Sequence, residues 1–161
     1  MNVIYPGSFD PLTNGHLDLI ERCSKKFDNV IIGVLNNVSK KGIFSVDERI
    51  ELIRSSTRHL SNIQIETFTG LLIDFAKTKD CPNIVRGLRA VSDLEYEMQL
   101  ALANKKLYPD LETYFMVSNT EYSFLSSSIV KEIAKFDGDV NGLVPKEVKF
   151  ALIRKKKAGD L

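Results

Sequence analysis

The chain has 161 residues, 43% of them hydrophobic and 27% charged, which suits one compact unit with a substantial core. This excludes disorder, collagen and coiled coil, and it leaves little room for a two-domain enzyme. Twenty-two Lys and Arg against 21 Asp and Glu leave a formal charge of +1, so any basic site must be local and a general nucleic-acid binder is not expected.

The first predicted element is a strand from Asn2 to Tyr5. No charged segment followed by an apolar run opens the chain, so a signal peptide is not expected, and no apolar run approaches the roughly 18 to 20 residues of a spanning helix. A cytoplasmic protein with no membrane partner follows as the expectation. The next segment, Tyr5 to His16, is a long, turn-rich connection into an amphipathic helix that carries Leu17, Ile20 and Cys23 at helical spacing. Gly7 permits close backbone approach and Ser8 offers a hydroxyl. Gly15 brings His16 into the first helical turn, where backbone N–H groups and the helix dipole favour phosphate. Plain helix capping by Gly15 and His16 is the alternative. The segment is neither a P-loop nor a dinucleotide fingerprint.

The second strand spans Asn29 to Leu35, and the loop after it carries Lys40 and Lys41, two adjacent cations that could equally be solvated. A capping box, Ser45 with Glu48, opens a helix from Ser45 to Arg58 with Ile50, Ile53 and Arg54 at turn spacing. His59 then reads as a cation answering that helix's C-terminal dipole. A third strand covers Ile63 to Thr67 and a fourth Asn83 to Val85. After the fourth, Arg86 and Arg89 flank Gly87-Leu88, and paired arginines at a strand end suit a polyanion. A second capping box, Ser92 with Glu95, opens a helix to Lys106, and the fifth strand is Thr113 to Val117. The loop Tyr122-Ser123-Phe124-Leu125-Ser126-Ser127-Ser128 runs into a helix from Ile129 to Phe136, and three serines there exceed what capping needs. Turns at Asp137-Gly138-Asp139 and Asn141-Gly142 precede a last helix from about Pro145, whose Lys155-Lys156-Lys157 run reads as a solvated tail. The two cysteines, Cys23 and Cys81, show no metal or disulfide spacing and are expected as reduced thiols.

Strands alternating with helices demand right-handed crossovers. They therefore predict an α/β fold: a doubly wound, five-stranded parallel, Rossmann-like sheet with helices on both faces and a C-terminal helix, all within one domain, residues 1–161. Ligands of such sheets bind beyond the carboxyl ends of the strands, which places His16, Lys40, Arg86, Arg89 and Ser126 to Ser128 at one edge, a setting for a nucleoside triphosphate. No Ser/His/Asp, Cys/His or metal-ligand spacing competes, since the chain has only two histidines.

Gly7-Ser8-Phe9-Asp10-Pro11 with Thr13-Asn14-Gly15-His16 resembles the T/H-x-G-H signature of the nucleotidylyltransferase superfamily. The run Arg86-Gly87-Leu88-Arg89-Ala90-Val91-Ser92-Asp93-Leu94-Glu95-Tyr96-Glu97-Met98-Gln99 is similar to the R-G-L-R-x-x-x-D-x-E-Y-E-x-Q segment of the bacterial phosphopantetheine adenylyltransferase family, and Ser126-Ser127-Ser128 resembles its second nucleotide segment. The resemblance covers essentially the whole chain. It implies adenylyl transfer from ATP to the 4′-phosphate of phosphopantetheine, giving dephospho-coenzyme A and pyrophosphate. A Mg2+ requirement and a homohexamer are also implied. Residue by residue it implies that His16 stabilises the transition state with Lys40 and Arg89. Ser8, Lys40, Leu72 and Arg86 would bind the acceptor. Ser8, Phe9, His16, Gly87, Leu88, Arg89, Glu97 and Tyr122 to Ser128 (Tyr122, Ser123, Phe124, Leu125, Ser126, Ser127, Ser128) would bind ATP. Ser8, Leu72 and Tyr122 stand where many members have Thr, Met and Trp, each keeping the chemical character of the site. The rival expectation is another enzyme of the superfamily, such as a nicotinate mononucleotide adenylyltransferase, which has no reason to carry the Arg86 to Gln99 run.

Overall fold

The computed structural model describes residues 1–37, 42–89 and 91–161, with the side chains of Val91 and Ser92 left aside. Lys40, Lys41 and the Ser92 half of the second capping box therefore lie outside the described set. Five strands, β1 (Asn2–Gly7), β2 (Asn29–Leu35), β3 (Ile63–Phe68), β4 (Asn83–Leu88) and β5 (Glu112–Val117), form one sheet in the order β3-β2-β1-β4-β5. Every pairing is parallel, as the alternation of elements predicts. The order reverses beside β1, the position where such sheets open a ligand crevice.

Period-two alternation along the strands divides the interior into two layers. Val3, Tyr5, Ile32 and Val85 point to one side, against α1 (Asn14–Lys26), α2 (Val46–Ser56), α5 (Ser127–Lys135) and α6 (Lys146–Lys157). Ile4, Ile31 and Ile84 point to the other, against Ile73, Phe75 and Ala76 of α3 (Leu72–Thr78). Helix α4 (Val91–Leu107) also packs against β4, β5 and α3. Each fully buried aliphatic side chain contributes about 1.5 to 3 kcal/mol at most, so cutting Ile53, 0% exposed, to Ala costs about 2 to 5 kcal/mol of stability.

Helix starts follow the expected chemistry at Ser45, whose Oγ accepts from the Glu48 N–H at 3.2 Å while the Glu48 carboxylate accepts from the Ser45 N–H at 2.7 Å. Several other expectations need correction. Arg54 leaves the apolar stripe and donates to Glu51 in solvent, 2.7 Å away, while Arg49 is the arginine that is buried. On α1 it is Leu19, with Ile20 and Cys23, that enters the core, and Leu17 is only partly buried. Strand β4 continues through Arg86, Gly87 and Leu88 because β5 offers ladder partners as far as Val117. His59 lies past the end of α2 and meets Glu21 of α1 at 2.8 Å instead of answering the helix dipole. The terminal lysines are no free tail: Lys155 pairs with Glu48 of α2 at 2.9 Å and Lys156 with Asp137 at 2.5 Å, fastening α6 to its neighbours. Both cysteines are free and buried.

Candidate active site

The carboxyl ends of β1, β4 and β5 open onto a cleft of about 250 Å³. Its wall brings together Ser8, Phe9, His16, Arg86, Gly87, Arg89, Glu97, Tyr122, Leu125, Ser126 and Ser127. These residues come from four separate stretches of chain. Leu72 lies instead on a smaller cavity of about 30 Å³, which shares Arg86 and Glu97 with the cleft. Leu88, Ser123, Phe124 and Ser128 are not on the cleft wall. Phe124 is 57% exposed, and the Ser123 hydroxyl donates to the Thr120 carbonyl at 3.0 Å.

The first turn of α1 fixes the imidazole. Thr13 is the N-cap and its Oγ1 accepts from the His16 N–H at 3.3 Å. In return His16 Nδ1 accepts from the Thr13 backbone N–H at 3.1 Å and lies 3.0 Å from the Thr13 hydroxyl. This is a capping box with histidine in the place usually taken by Glu or Gln. Since Nδ1 is an acceptor, the neutral ring carries its hydrogen on Nε2, on the side away from Thr13. Burial, and then the nearby Arg89 guanidinium, lower the His16 pKa to about 4, so the ring is neutral at pH 7. Phe9 supplies part of that burial, its ring edge-on at 5.2 Å. A Cβ on Gly7 would lie 2.9 Å from the Phe9 ring, so only glycine leaves room for it.

Arg86 lies two residues beyond Ile84, which puts it on the α4 side of the sheet. There its Nε and Nη2 donate to the two carboxylate oxygens of Glu97, at 2.7 and 2.6 Å. Burial opposes the guanidinium charge, but hydrogen bonding and charge from Glu97 prevail and raise its pKa. Arg89, on the connection after β4, donates to Asp93 and to the Leu125 carbonyl, both at 3.1 Å, tying the fourth connection to the fifth. The fifth connection contains a single 3₁₀ turn, Thr120–Tyr122, before α5. Ser126 is the α5 N-cap, its Oγ accepting from the Ile129 N–H at 3.2 Å, and the Ser127 hydroxyl donates to the Pro11 carbonyl at 2.8 Å. Two of the three serines thus have local tasks as well as cleft positions. Tyr5, at the start of the expected connection, and Ser118, which no sequence signal marks, also line the cleft; burial holds the Tyr5 phenol protonated by raising its pKa.

The arrangement is rich in donors: two guanidinium groups, a neutral imidazole N–H, hydroxyls and the N–H groups opening α5. Such a set binds and stabilises phosphoryl oxygens. Among the described residues no three His, Cys, Asp or Glu side chains cluster as metal ligands. The carboxylates near the wall are engaged already, Glu97 by Arg86 and Asp93 by Arg89.

Comparison with known proteins agrees with this chemistry. Residues 4–133 match the cytidylyltransferase-like family model. A phosphopantetheine adenylyltransferase of Clostridium botulinum (strain Eklund 17B / Type B) is 58% identical over 154 residues, covering 96% of this chain and 97% of the relative. One of Syntrophomonas wolfei is 53% identical, covering 94% of each chain. Among solved structures, a Plasmodium falciparum nicotinic acid mononucleotide adenylyltransferase complexed with NaAD matches with a TM-score of 0.70, covering 99% of this chain and 96% of that one. At 16% identity that likeness speaks for the fold alone.

Proposed function

Since the chain belongs to the phosphopantetheine adenylyltransferase family, within the cytidylyltransferase-like enzymes, we propose that its cleft joins ATP to phosphopantetheine and that the donor groups just described carry the reaction. The enzyme is a nucleotidyltransferase of coenzyme A biosynthesis. A 4′-phosphate oxygen of the acceptor attacks the α-phosphorus of ATP, a new P–O bond forms, the bond to the β-phosphate oxygen breaks, and pyrophosphate leaves. The attacking oxygen is anionic at neutral pH, so no base or covalent enzyme intermediate is required. Holding the two substrates in line is worth roughly 7 to 11 kcal/mol, and donors aimed at the charge developing on the α-phosphate add to it.

The observation that carries this proposal is the fixed tautomer of a neutral His16 beside Arg89 and the opening turn of α5. Its Nε2–H suits the developing charge on the α-phosphoryl group, with Arg89 and Lys40 as its partners in catalysis. Ser8, Phe9, Gly87, Glu97, Tyr122 and Leu125 to Ser127 would hold the nucleotide from the cleft wall, with Leu88, Ser123, Phe124 and Ser128 supporting them from beside it, and Arg86 with Lys40 and Ser8 the acceptor, whose far end would reach toward Leu72 on the adjoining cavity. Glu97 takes only the Nε and Nη2 donors of Arg86, and Nη1 meets the Pro6 carbonyl at 3.4 Å, so of its five N–H groups some remain for an acceptor phosphate. Enzymes of this family generally use a divalent metal, and we propose magnesium here. The described carboxylates do not form a cage for it, so the ion fits as a companion of the triphosphate held by phosphate oxygens and water, where it offsets negative charge.

We further propose a cytoplasmic enzyme working as one adenylyltransferase unit over residues 1–161 and assembling as a homohexamer. No described helix is long and apolar enough to cross a membrane. The hexamer is favoured by α4, which leaves Tyr96, Met98 and Leu102 exposed by 63%, 47% and 68%, where another copy could cover them. The deciding experiment is pyrophosphate release from ATP with phosphopantetheine, nicotinate mononucleotide or glycerol phosphate as acceptor. Release with phosphopantetheine is expected; release only with one of the others would overturn the proposal.

A further inference from the structure

The connection between β1 and α1 is held more firmly than helix capping explains. Phe9 has φ +48°, a left-handed backbone that side-chain-bearing residues seldom adopt unless their surroundings fix it. Two buried charged groups hold the backbone on either side of it, Asp10 as the next residue and Arg49 reaching from α2 to the Ser8 carbonyl. On one side Asp10, 7% exposed, accepts from the Phe44 N–H through Oδ1 at 2.9 Å and from the Ile43 N–H through Oδ2 at 3.0 Å, with Lys131 Nζ 3.7 Å away. On the other side Arg49, 8% exposed, donates from Nη1 to the carbonyls of Ser8 at 2.8 Å and Leu35 at 3.0 Å, and from Nε to that of Ser45 at 3.4 Å.

A buried guanidinium is costly unless its donors are satisfied. Among the described residues Arg49 donates to three backbone carbonyls, so it reads and fixes the path of the chain. One side chain thereby joins the end of β2, the start of α2 and the residue before Phe9. Asp10 completes the grip through the segment leading into α2. A Cβ on Gly42 would lie 3.0 Å from Asp10 Oδ2 and 3.1 Å from the Phe44 carbonyl oxygen, so that segment is packed tightly against the carboxylate. Neither Asp10 nor Arg49 lines the cleft, but Ser8, Phe9 and His16 do. Phe9 passes the constraint on, because its ring, 1% exposed, is edge-on to Tyr5 at 5.5 Å and to His16 at 5.2 Å.

We infer that Asp10 and Arg49 are positioning residues for adenylyl transfer: by clamping the backbone on both sides of Phe9, they hold Ser8 and the His16 ring in line with the reacting phosphates. This rests on the adenylyl-transfer assignment above. A displacement of about 1 Å at such groups costs on the order of a hundredfold in rate. The full chain should be assayed with Asp10→Asn, Arg49→Met, Arg49→Lys and Gly42→Ala, alongside ATP affinity by calorimetry and the thermal midpoint of each variant. Asp10→Asn and Arg49→Met are expected to lower kcat about 10- to 100-fold with ATP affinity changed less than about threefold. Arg49→Lys, which keeps the charge and can reach one carbonyl, should recover part of that loss. Gly42→Ala should show a smaller loss with the same split. In NMR spectra taken without substrate, the Phe9 and His16 ring resonances should shift in the Asp10 and Arg49 variants. Unchanged kcat and ring resonances, or activity lost only in proportion to the unfolded fraction, would overturn the inference. Wild-type chain inactive with phosphopantetheine would instead count against the substrate assignment, leaving the ring resonances to decide the clamp.

Discussion

The β1–α1 connection and the α4 helix both contribute to the cleft wall, yet they are held in opposite ways. The connection is fastened from inside the chain: Ser8 by Arg49, Asp10 by two backbone amides, Pro11 by Ser127, and His16 by Thr13. Helix α4 reaches the cleft through Glu97, while much of its remaining surface carries apolar side chains open to solvent. A self-contained clamp positions groups that must meet developing charge. A helix that leaves several large apolar side chains in solvent gains from a neighbour that covers them. The contrast separates a part of the site that one chain completes alone from a part that a neighbouring copy would steady.

Substitutions can break that contrast, and the largest effect is expected at the clamped side. His16→Ala should lower kcat by about 10² to 10³, the usual cost of losing one donor to a transition-state oxyanion, with little change in ATP affinity. An unchanged turnover number would remove His16 from the chemistry. Next comes Arg86→Ala, at the junction of the two regions, which should raise KM for phosphopantetheine about 10- to 100-fold, as expected when a bidentate charged contact is lost. A selective loss of ATP binding would contradict the acceptor role of Arg86. On the α4 side, if the proposed hexamer forms, Leu102→Glu should leave the fold intact but reduce the particle mass below the hexamer's, about six times 18.1 kDa, as read by light scattering. An undiminished mass would detach that face from assembly.

The smallest effect sharpens the description of the clamp without altering the chain. Followed by NMR, the His16 ring should titrate with a midpoint near 4 and show hydrogen on Nε2 above it. The sign follows from linkage. Between pH 6.5 and about 4 the unfolded chain takes up a proton that native His16 refuses, so this group lowers stability as pH falls through that window. A midpoint near 6.5 would show a solvated imidazole and a looser connection.

Much of this was legible in the sequence because local and global preferences coincide. The Ser45 and Glu48 pair marks the start of α2, and turn-rich connections after β1 and β5 mark two walls of the cleft. Arg49 was not legible, because an arginine amid acidic neighbours on a helix looks solvent-facing until the carbonyls of Ser8 and Leu35 converge on it. Helix α3, seven residues long, has no side-chain cap to announce it and is held by Ile73, Phe75 and Ala76 against the sheet. The length of β4 was hidden because its last pairings depend on β5, some 29 residues further along, as in Leu88 with Val117. Lys155 and Lys156 looked like a tail because their partners lie far off in the chain, Glu48 in α2 and Asp137 in the turn after α5.

Strand β1 lies at the centre of the sheet, between β2 and β4. During synthesis it leaves the ribosome before every other strand described, yet its second edge finds a partner only when the segment around Ile84 has emerged. Loops this long delay non-local pairing and lengthen the time for which an apolar strand edge is open. The strand that carries the nucleotide-facing connection is therefore the one whose shelter comes late, and the interval is when a nascent chain of this kind most needs protection from aggregation.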